Sequence, residues 1–216
     1  MSQVLPLHRE LYEGTRLRGL MLTEPRVNFA EIMLLMGCGA MAAVLSVLLD
    51  FHMKMPGNAI MRITVPMTFG LALVPRRGAG TIMGASAFGT GLLLPLLRFP
   101  GGGLGLGFGV MTALFVTGPI FDAALWRARR GWRLYVAFAA CGLGANTLAF
   151  SVRAVTKTFG IGGIAAQPLV LWLPRAIPSY IICGILAGLM AAATSVALFK
   201  ASESESRGEF KGTSGK

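Results

Sequence analysis

Residues 29–49 have the sequence FAEIMLLMGCGAMAAVLSVLL, and this stretch decides the fold class. About 20 helical residues cross the roughly 30 Å hydrocarbon core of a bilayer, and this stretch has that length. Its only charged residue is Glu31, near the start. The run is continuously apolar, without the period-two alternation of a membrane β-barrel strand. It therefore predicts a transmembrane α-helix.

The rest of the chain has the same character. Of 216 residues, 54% are hydrophobic and 13% are charged, whereas a soluble domain carries about 25% charge. This composition excludes a soluble globular enzyme, a disordered chain and a coiled coil. We predict an all-α integral membrane protein with six transmembrane helices. The predicted spans are 29–49, 58–74, 79–97, 104–126, 132–152 and 177–199.

The distribution of positive charge predicts the orientation. Six of the 20 Lys and Arg residues fall on the side assigned as outer, and the other fourteen on the cytoplasmic side. The six are Lys54, Arg62, Arg98, Arg153, Lys157 and Arg175. Since Lys and Arg accumulate on the cytoplasmic side, this bias predicts cytoplasmic N and C termini. It also explains the net charge of +11 without nucleic-acid binding.

Three segments lie outside the predicted spans of the transmembrane domain, 29–199. Residues 1–28 are expected to be a cytoplasmic leader, either plain or containing an interfacial helix. Residues 158–175 are apolar but rich in Gly and Pro, so they predict an outer loop or interfacial segment. Residues 200–216 are polar and low in complexity, and they predict a disordered cytoplasmic tail.

Polar residues collect at the predicted outer ends of the spans. Asn58, Arg62 and His52 lie at or between the first two spans, while Asn146 and Arg153 lie in and after the fifth. Polar groups inside a membrane are costly and usually face the bundle interior or a cavity. Two interpretations remain open: structural pairing, for example of Asp50 with Arg62, or contact with a ligand.

Small residues recur four positions apart within the spans, a spacing that flattens one helix face. Most such pairs are expected to pack internally. For Gly39 and Ala43 in the first span, the favoured interpretation is an interface with a partner subunit.

The sequence predicts neither an enzyme nor a metal centre. Cys38, Cys141 and Cys183 lie in three separate apolar runs, and the chain has only two histidines. No Ser/His/Asp or Cys/His combination supports nucleophilic catalysis, and no Cys/His spacing fits a zinc site. No cofactor is expected.

Two stretches carry a resemblance to a known family. One is FHMKMPGNAI at 51–60, followed by an apolar run ending in LVP at 73–75; the other is GGGLGLG at 101–107, continuing through VTGP at 116–119. In these features the chain resembles the membrane substrate-capture (S) subunits of energy-coupling-factor (ECF) transporters, closest to the cobalt/nickel branch. The metal ligands of that branch are histidines, whereas Ser2 and Asn58 stand at the matching positions here.

The resemblance implies an ECF substrate-subunit-like bundle, multi-pass in the inner (cytoplasmic) membrane. It implies capture of a small molecule at the outer face for ATP-driven uptake, with a transmembrane coupling protein and ATPase subunits as partners beside membrane lipids. Gly39 and Ala43 match the family's contact with the coupling protein. The balance of the candidate contacts is cationic, which favours an anionic or polar ligand. The alternative function is a non-transporting accessory or structural subunit of a larger membrane complex.

Overall fold

The structure is a computed structural model that describes residues 29–48, 57–74, 78–94, 107–127, 132–161 and 168–213. These residues form six α-helices and no strand. The helices are α1 (Phe29–Leu48), α2 (Ala59–Leu73), α3 (Ala79–Leu93), α4 (Phe108–Arg127), α5 (Trp132–Phe159) and α6 (Leu169–Thr213). The predicted leader, 1–28, lies outside the described residues.

Three stretches of helix are long and apolar enough to cross a membrane: Phe29–Leu48, Trp132–Phe159 and Ala176–Leu198. Three more helices are apolar but shorter: Ala59–Leu73, Ala79–Leu93 and Phe108–Ala124. Large apolar side chains also cover much of the exterior, with Phe29 and Leu171 72% and 74% exposed. An apolar exterior on an apolar bundle is typical of a protein surrounded by lipid, since soluble monomers expose only small apolar patches.

The last helix differs from its predicted bounds at both ends. It begins at Leu169, within the segment predicted as an outer loop or interfacial segment, with Pro174 and Pro178 inside it. Proline inside a helix is tolerated in membrane proteins because neighbouring groups satisfy the freed backbone carbonyls. The helix also continues to Thr213, where the composition predicted a disordered tail. Extending an existing helix requires no new nucleus, and no proline interrupts residues 201–213.

Helix α2 lies in the middle of the bundle. It packs against α1, α4 and α6, while the other helices contact one another in the order α1, α3, α4, α5, α6. Its buried side chains include Ile60, Ile63, Met67 and Leu71, each 0% exposed. Thr64 and Thr68 are also fully buried on this helix, and each donates its hydroxyl to a carbonyl four residues earlier. The central helix is therefore buried without leaving these hydroxyls unsatisfied.

Glycine permits the closest helix contacts. Between α3 and α4, a Cβ added at Gly80 would collide with the backbone carbonyl oxygen of Gly118. Between α5 and α6, a Cβ at Gly142 would collide with the carbonyl oxygen of Gly184, and one at Gly188 with that of Phe138. Small residues thus allow backbones to approach where lipid provides no hydrophobic drive for association.

The same packing corrects the interpretation of Gly39 and Ala43. A Cβ at Gly39 would collide with the carbonyl oxygen of Met83 on α3, and Ala43 is 0% exposed. This face of α1 is covered by the chain's own third helix, so it does not present these two residues to a partner subunit. The spacing predicted a flat helix face. Small residues four positions apart occur both where a helix packs on another helix of the same chain and where it packs on a second protein.

A carboxylate on α4 holds the first residue before α3. Asp122 of α4 is 9% exposed, and its Oδ2 accepts a hydrogen bond of 2.7 Å from the backbone N–H of Gly78. Gly78 immediately precedes α3, so the carboxylate lies at the positive end of that helix dipole. Asp122 therefore holds the start of α3 against α4.

Candidate functional site

The candidate site lies where α1 ends and α2 begins, at the end of the bundle away from Asp122. Arg62, one turn into α2, donates from Nη2 to Oδ1 of Asn58 at 3.1 Å. Its Nη1 donates to the carbonyl oxygen of Ser46 on α1 at 3.2 Å. Both Asn58 and Arg62 are partly exposed. The guanidinium therefore bridges two helices and keeps the Asn58 amide at the start of α2.

Asn146 is the most deeply placed polar side chain of the site. It lies on α5, is 2% exposed, and donates from Nδ2 to the carbonyl oxygen of Tyr180 on α6 at 2.6 Å. Gly142 and Gly184 bring α5 and α6 close enough for this short side chain to reach the neighbouring backbone. A buried amide costs little once it is hydrogen-bonded, which explains how the bundle accommodates Asn146.

Arg153 lies two turns beyond Asn146 on α5 and is exposed. Its Nη1 donates to the phenol oxygen of Tyr180 at 3.2 Å. Tyr180 is 7% exposed and thus contacts two predicted site residues, one through its carbonyl and one through its hydroxyl. This tyrosine couples the buried amide to the exposed guanidinium.

Gly57 connects the start of α2 to this α5–α6 contact. A Cβ at Gly57 would lie 3.1 Å from the Tyr180 ring and 3.2 Å from Nδ2 of Asn146. Its φ of +92° falls in the left-handed region, where glycine carries no steric penalty. The turn that places Asn58 and Arg62 therefore rests directly on Tyr180 and Asn146.

The structure thus brings together Asn58, Arg62, Asn146 and Arg153. We call these four residues, with Gly57 and Tyr180, the polar cluster. His52, the fifth predicted contact, lies outside the described residues. Sequence reasoning missed Tyr180 as a site residue and used Gly57 only as part of a motif. The available signal for Tyr180 was a phenol hydroxyl near one end of an otherwise apolar span.

Aromatic rings border the polar cluster on α5 and α6. Phe150 packs against Tyr180 with ring centroids 4.8 Å apart and against Trp172 at 6.0 Å. Lys157 places its Nζ 4.7 Å from the centroid of the Trp172 ring. This end of the bundle therefore combines flat apolar surfaces with guanidinium and ammonium groups.

The arrangement suits hydrogen bonding to an anionic or polar molecule. Arg62, Arg153 and Lys157 supply positive charge at this end. Positive charge at a partly exposed site attracts anions. Among the described residues, no group of three or more His, Cys, Asp or Glu side chains is placed to hold a metal ion.

Comparison with protein-family models, curated proteins and solved structures finds no match to this chain.

Proposed function

We propose that this chain is a substrate-capture subunit resembling those of ECF transporters, which binds a small anionic or polar molecule at the outer face of the membrane. The observation that carries the proposal is the convergence of the polar cluster. Asn58 and Arg153 are far apart in sequence, yet their helices meet at one end of the bundle through Gly57 and Tyr180.

In the proposed topology, all six helices cross the inner (cytoplasmic) membrane and both termini are cytoplasmic. The fourteen-to-six division of Lys and Arg residues supports this orientation. The polar cluster then faces outward, and Asp122 faces the cytoplasm. The three shorter helices fit this topology because a bilayer thins locally around an apolar helix shorter than its core.

Within the polar cluster, the exposed guanidinium of Arg153 is the group that supports ligand capture. Asn146 lies at the bottom, while Arg153 is exposed above it, with Tyr180 between them. A molecule that arrives from this end meets the exposed guanidinium of Arg153 first. Guanidinium groups bind carboxylates and phosphates through charge-assisted hydrogen bonds, so they give such a site its preference for anions.

Under this proposal, the energy for uptake comes from partner subunits, a transmembrane coupling protein and cytoplasmic ATPases. With Gly39 and Ala43 covered by α3, the coupling protein would dock on other helix surfaces. The partner proposal therefore rests on the family resemblance.

Purification in mild detergent, with mass spectrometry of both proteins and small molecules, tests this function. We expect the chain to copurify with an ATPase-containing membrane complex and with one small molecule per chain. Copurification with large membrane subunits, without an ATPase or a small molecule, would contradict capture and support an accessory subunit. Arg153→Gln should lose the small molecule. Arg133→Gln, a change to an exposed cation at the other end of α5, is its matched control and should keep the small molecule.

A further inference from the structure

The end of α5 extends beyond the depth of a bilayer core. The helix has 28 residues, which corresponds to about 42 Å of length, whereas the hydrocarbon core is about 30 Å thick. If Trp132 marks one interface, the last two turns reach the headgroup layer at the other. Arg153 and Lys157 lie in those turns, four residues apart and on the same side of the helix.

Trp172 fixes the position of the second of these cations. The ammonium of Lys157 lies 4.7 Å from the ring centroid, a cation–π distance. Arg153 donates one hydrogen bond to the Tyr180 hydroxyl and is otherwise exposed. Because a guanidinium has five N–H donors, Arg153 retains donors for an external acceptor.

Exposed apolar side chains flank the two cations. Phe159 on α5 is 74% exposed, and Val170 and Leu171 on α6 are 82% and 74% exposed. We call Arg153, Lys157, Trp172 and these three apolar residues the headgroup patch. An amphiphile can contact both the cations and the apolar side chains of this patch. A soluble anion can contact only the cations.

We propose that the headgroup patch binds an acidic phospholipid, with the lipid phosphate between Arg153 and Lys157 and an acyl chain along the apolar flank. The two positive charges favour an acidic headgroup. The position of the patch at the headgroup layer favours a lipid over a soluble molecule. The proposal requires only that the chain lies in a membrane. It shares Arg153 with the polar cluster but does not require substrate capture. It assigns a role to Lys157 and Trp172, which do not belong to the polar cluster.

Native mass spectrometry of the full-length protein in detergent, titrated with dioleoyl phosphatidylglycerol or dioleoyl phosphatidylcholine, tests the proposal. We expect phosphatidylglycerol to bind more tightly. Arg153→Gln combined with Lys157→Gln should weaken its binding about thirtyfold, since each basic residue near an anionic surface contributes about 1 kcal/mol. The charge-preserving combination of Arg153→Lys with Lys157→Arg should retain most of the affinity, which shows that loss in the Gln variant is not unfolding.

Arg133→Gln is the matched control because Arg133 is an exposed cation at the other end of α5. It should leave the affinity unchanged. Glycerol phosphate, added as a soluble headgroup, should not displace the lipid at equal concentration. Equal binding of the two lipids, an equal loss in Arg133→Gln, or displacement by glycerol phosphate would each overturn the proposal.

Discussion

Replacing Gly142 with Leu should separate α5 from α6 and prevent the chain from forming a stable bundle. A Cβ at this position would collide with the carbonyl oxygen of Gly184 and lie 2.8 Å from the backbone nitrogen of Gly188. Since both atoms belong to helix backbone, neither can rotate away as a flexible side chain would. Overpacking typically costs about 1–3 kcal/mol, and a backbone obstacle places this variant at or above the upper end.

Gly144→Leu is the matched control for this prediction. Gly144 lies two residues away on the same helix, and a Cβ there would meet nothing within 4 Å. Both variants gain the same helix propensity on replacing Gly, about 1 kcal/mol. The difference between their stabilities therefore measures the contact between α5 and α6. Size-exclusion chromatography and thermal unfolding in detergent measure the outcome. Equal stability of the two variants would show that α5 and α6 do not pack through Gly142.

Replacing Gly57 with Ala should destabilise the protein by about 2–4 kcal/mol and move the start of α2 away from α5 and α6. The left-handed φ of +92° costs a residue with a Cβ about 1–2 kcal/mol. The new methyl group would also lie 3.1 Å from the Tyr180 ring, so the ring or the turn must shift. Because Asn58 and Arg62 follow this turn, any captured ligand should be lost as well.

Gly78→Ala separates these two contributions. Gly78 has a similar φ of +80°, but a Cβ there would meet nothing within 4 Å. We therefore expect it to lose only the conformational part, about 1–2 kcal/mol, and to keep the ligand. Thermal unfolding in detergent, together with mass spectrometry of the bound small molecule, distinguishes the two variants. The account of the turn is wrong if both lose the same stability and both keep the ligand.

The apolar runs predicted the helices well because hydrophobicity over about 20 residues is set by membrane thickness. The starts of α1, α3 and α5 at Phe29, Ala79 and Trp132 coincide with the predicted starts. The end of α6 could not be predicted in this way. Composition does not distinguish a polar tail in coil from one that continues a helix already formed.

The polar cluster was partly predictable for a related reason. Asn146 and Arg153 are conspicuous inside or beside an apolar run because polar groups there are costly. Tyr180 was not, since its ring is compatible with a membrane interface without any specific contact. The role of Tyr180 depends on the close approach of α5 and α6. Gly142 and Gly184 permit this approach, but the sequence does not show that these two helices are neighbours.

Gly39 and Ala43 show the limit of small-residue spacing. The pattern predicted a flat helix face, and the face is flat, but it packs on α3 within the chain. Sequence spacing gives the shape of a surface without naming its partner. The pairing of α1 with α3, rather than with a second protein, follows from the order of all the helices around α2.

Mass spectrometry of the small molecule retained by Asn146→Leu tests ligand capture at the polar cluster most directly. Leu keeps the branched shape and the number of side-chain heavy atoms of Asn146 but removes the amide, which reaches the carbonyl of Tyr180. Thr147→Leu is the control, because Thr147 is exposed and its hydroxyl donates only to the carbonyl of Leu143. We predict one small molecule per chain in the wild type and in Thr147→Leu, and none in a folded Asn146→Leu protein. Retention of the same molecule by Asn146→Leu, in the wild-type amount, would contradict capture at this site.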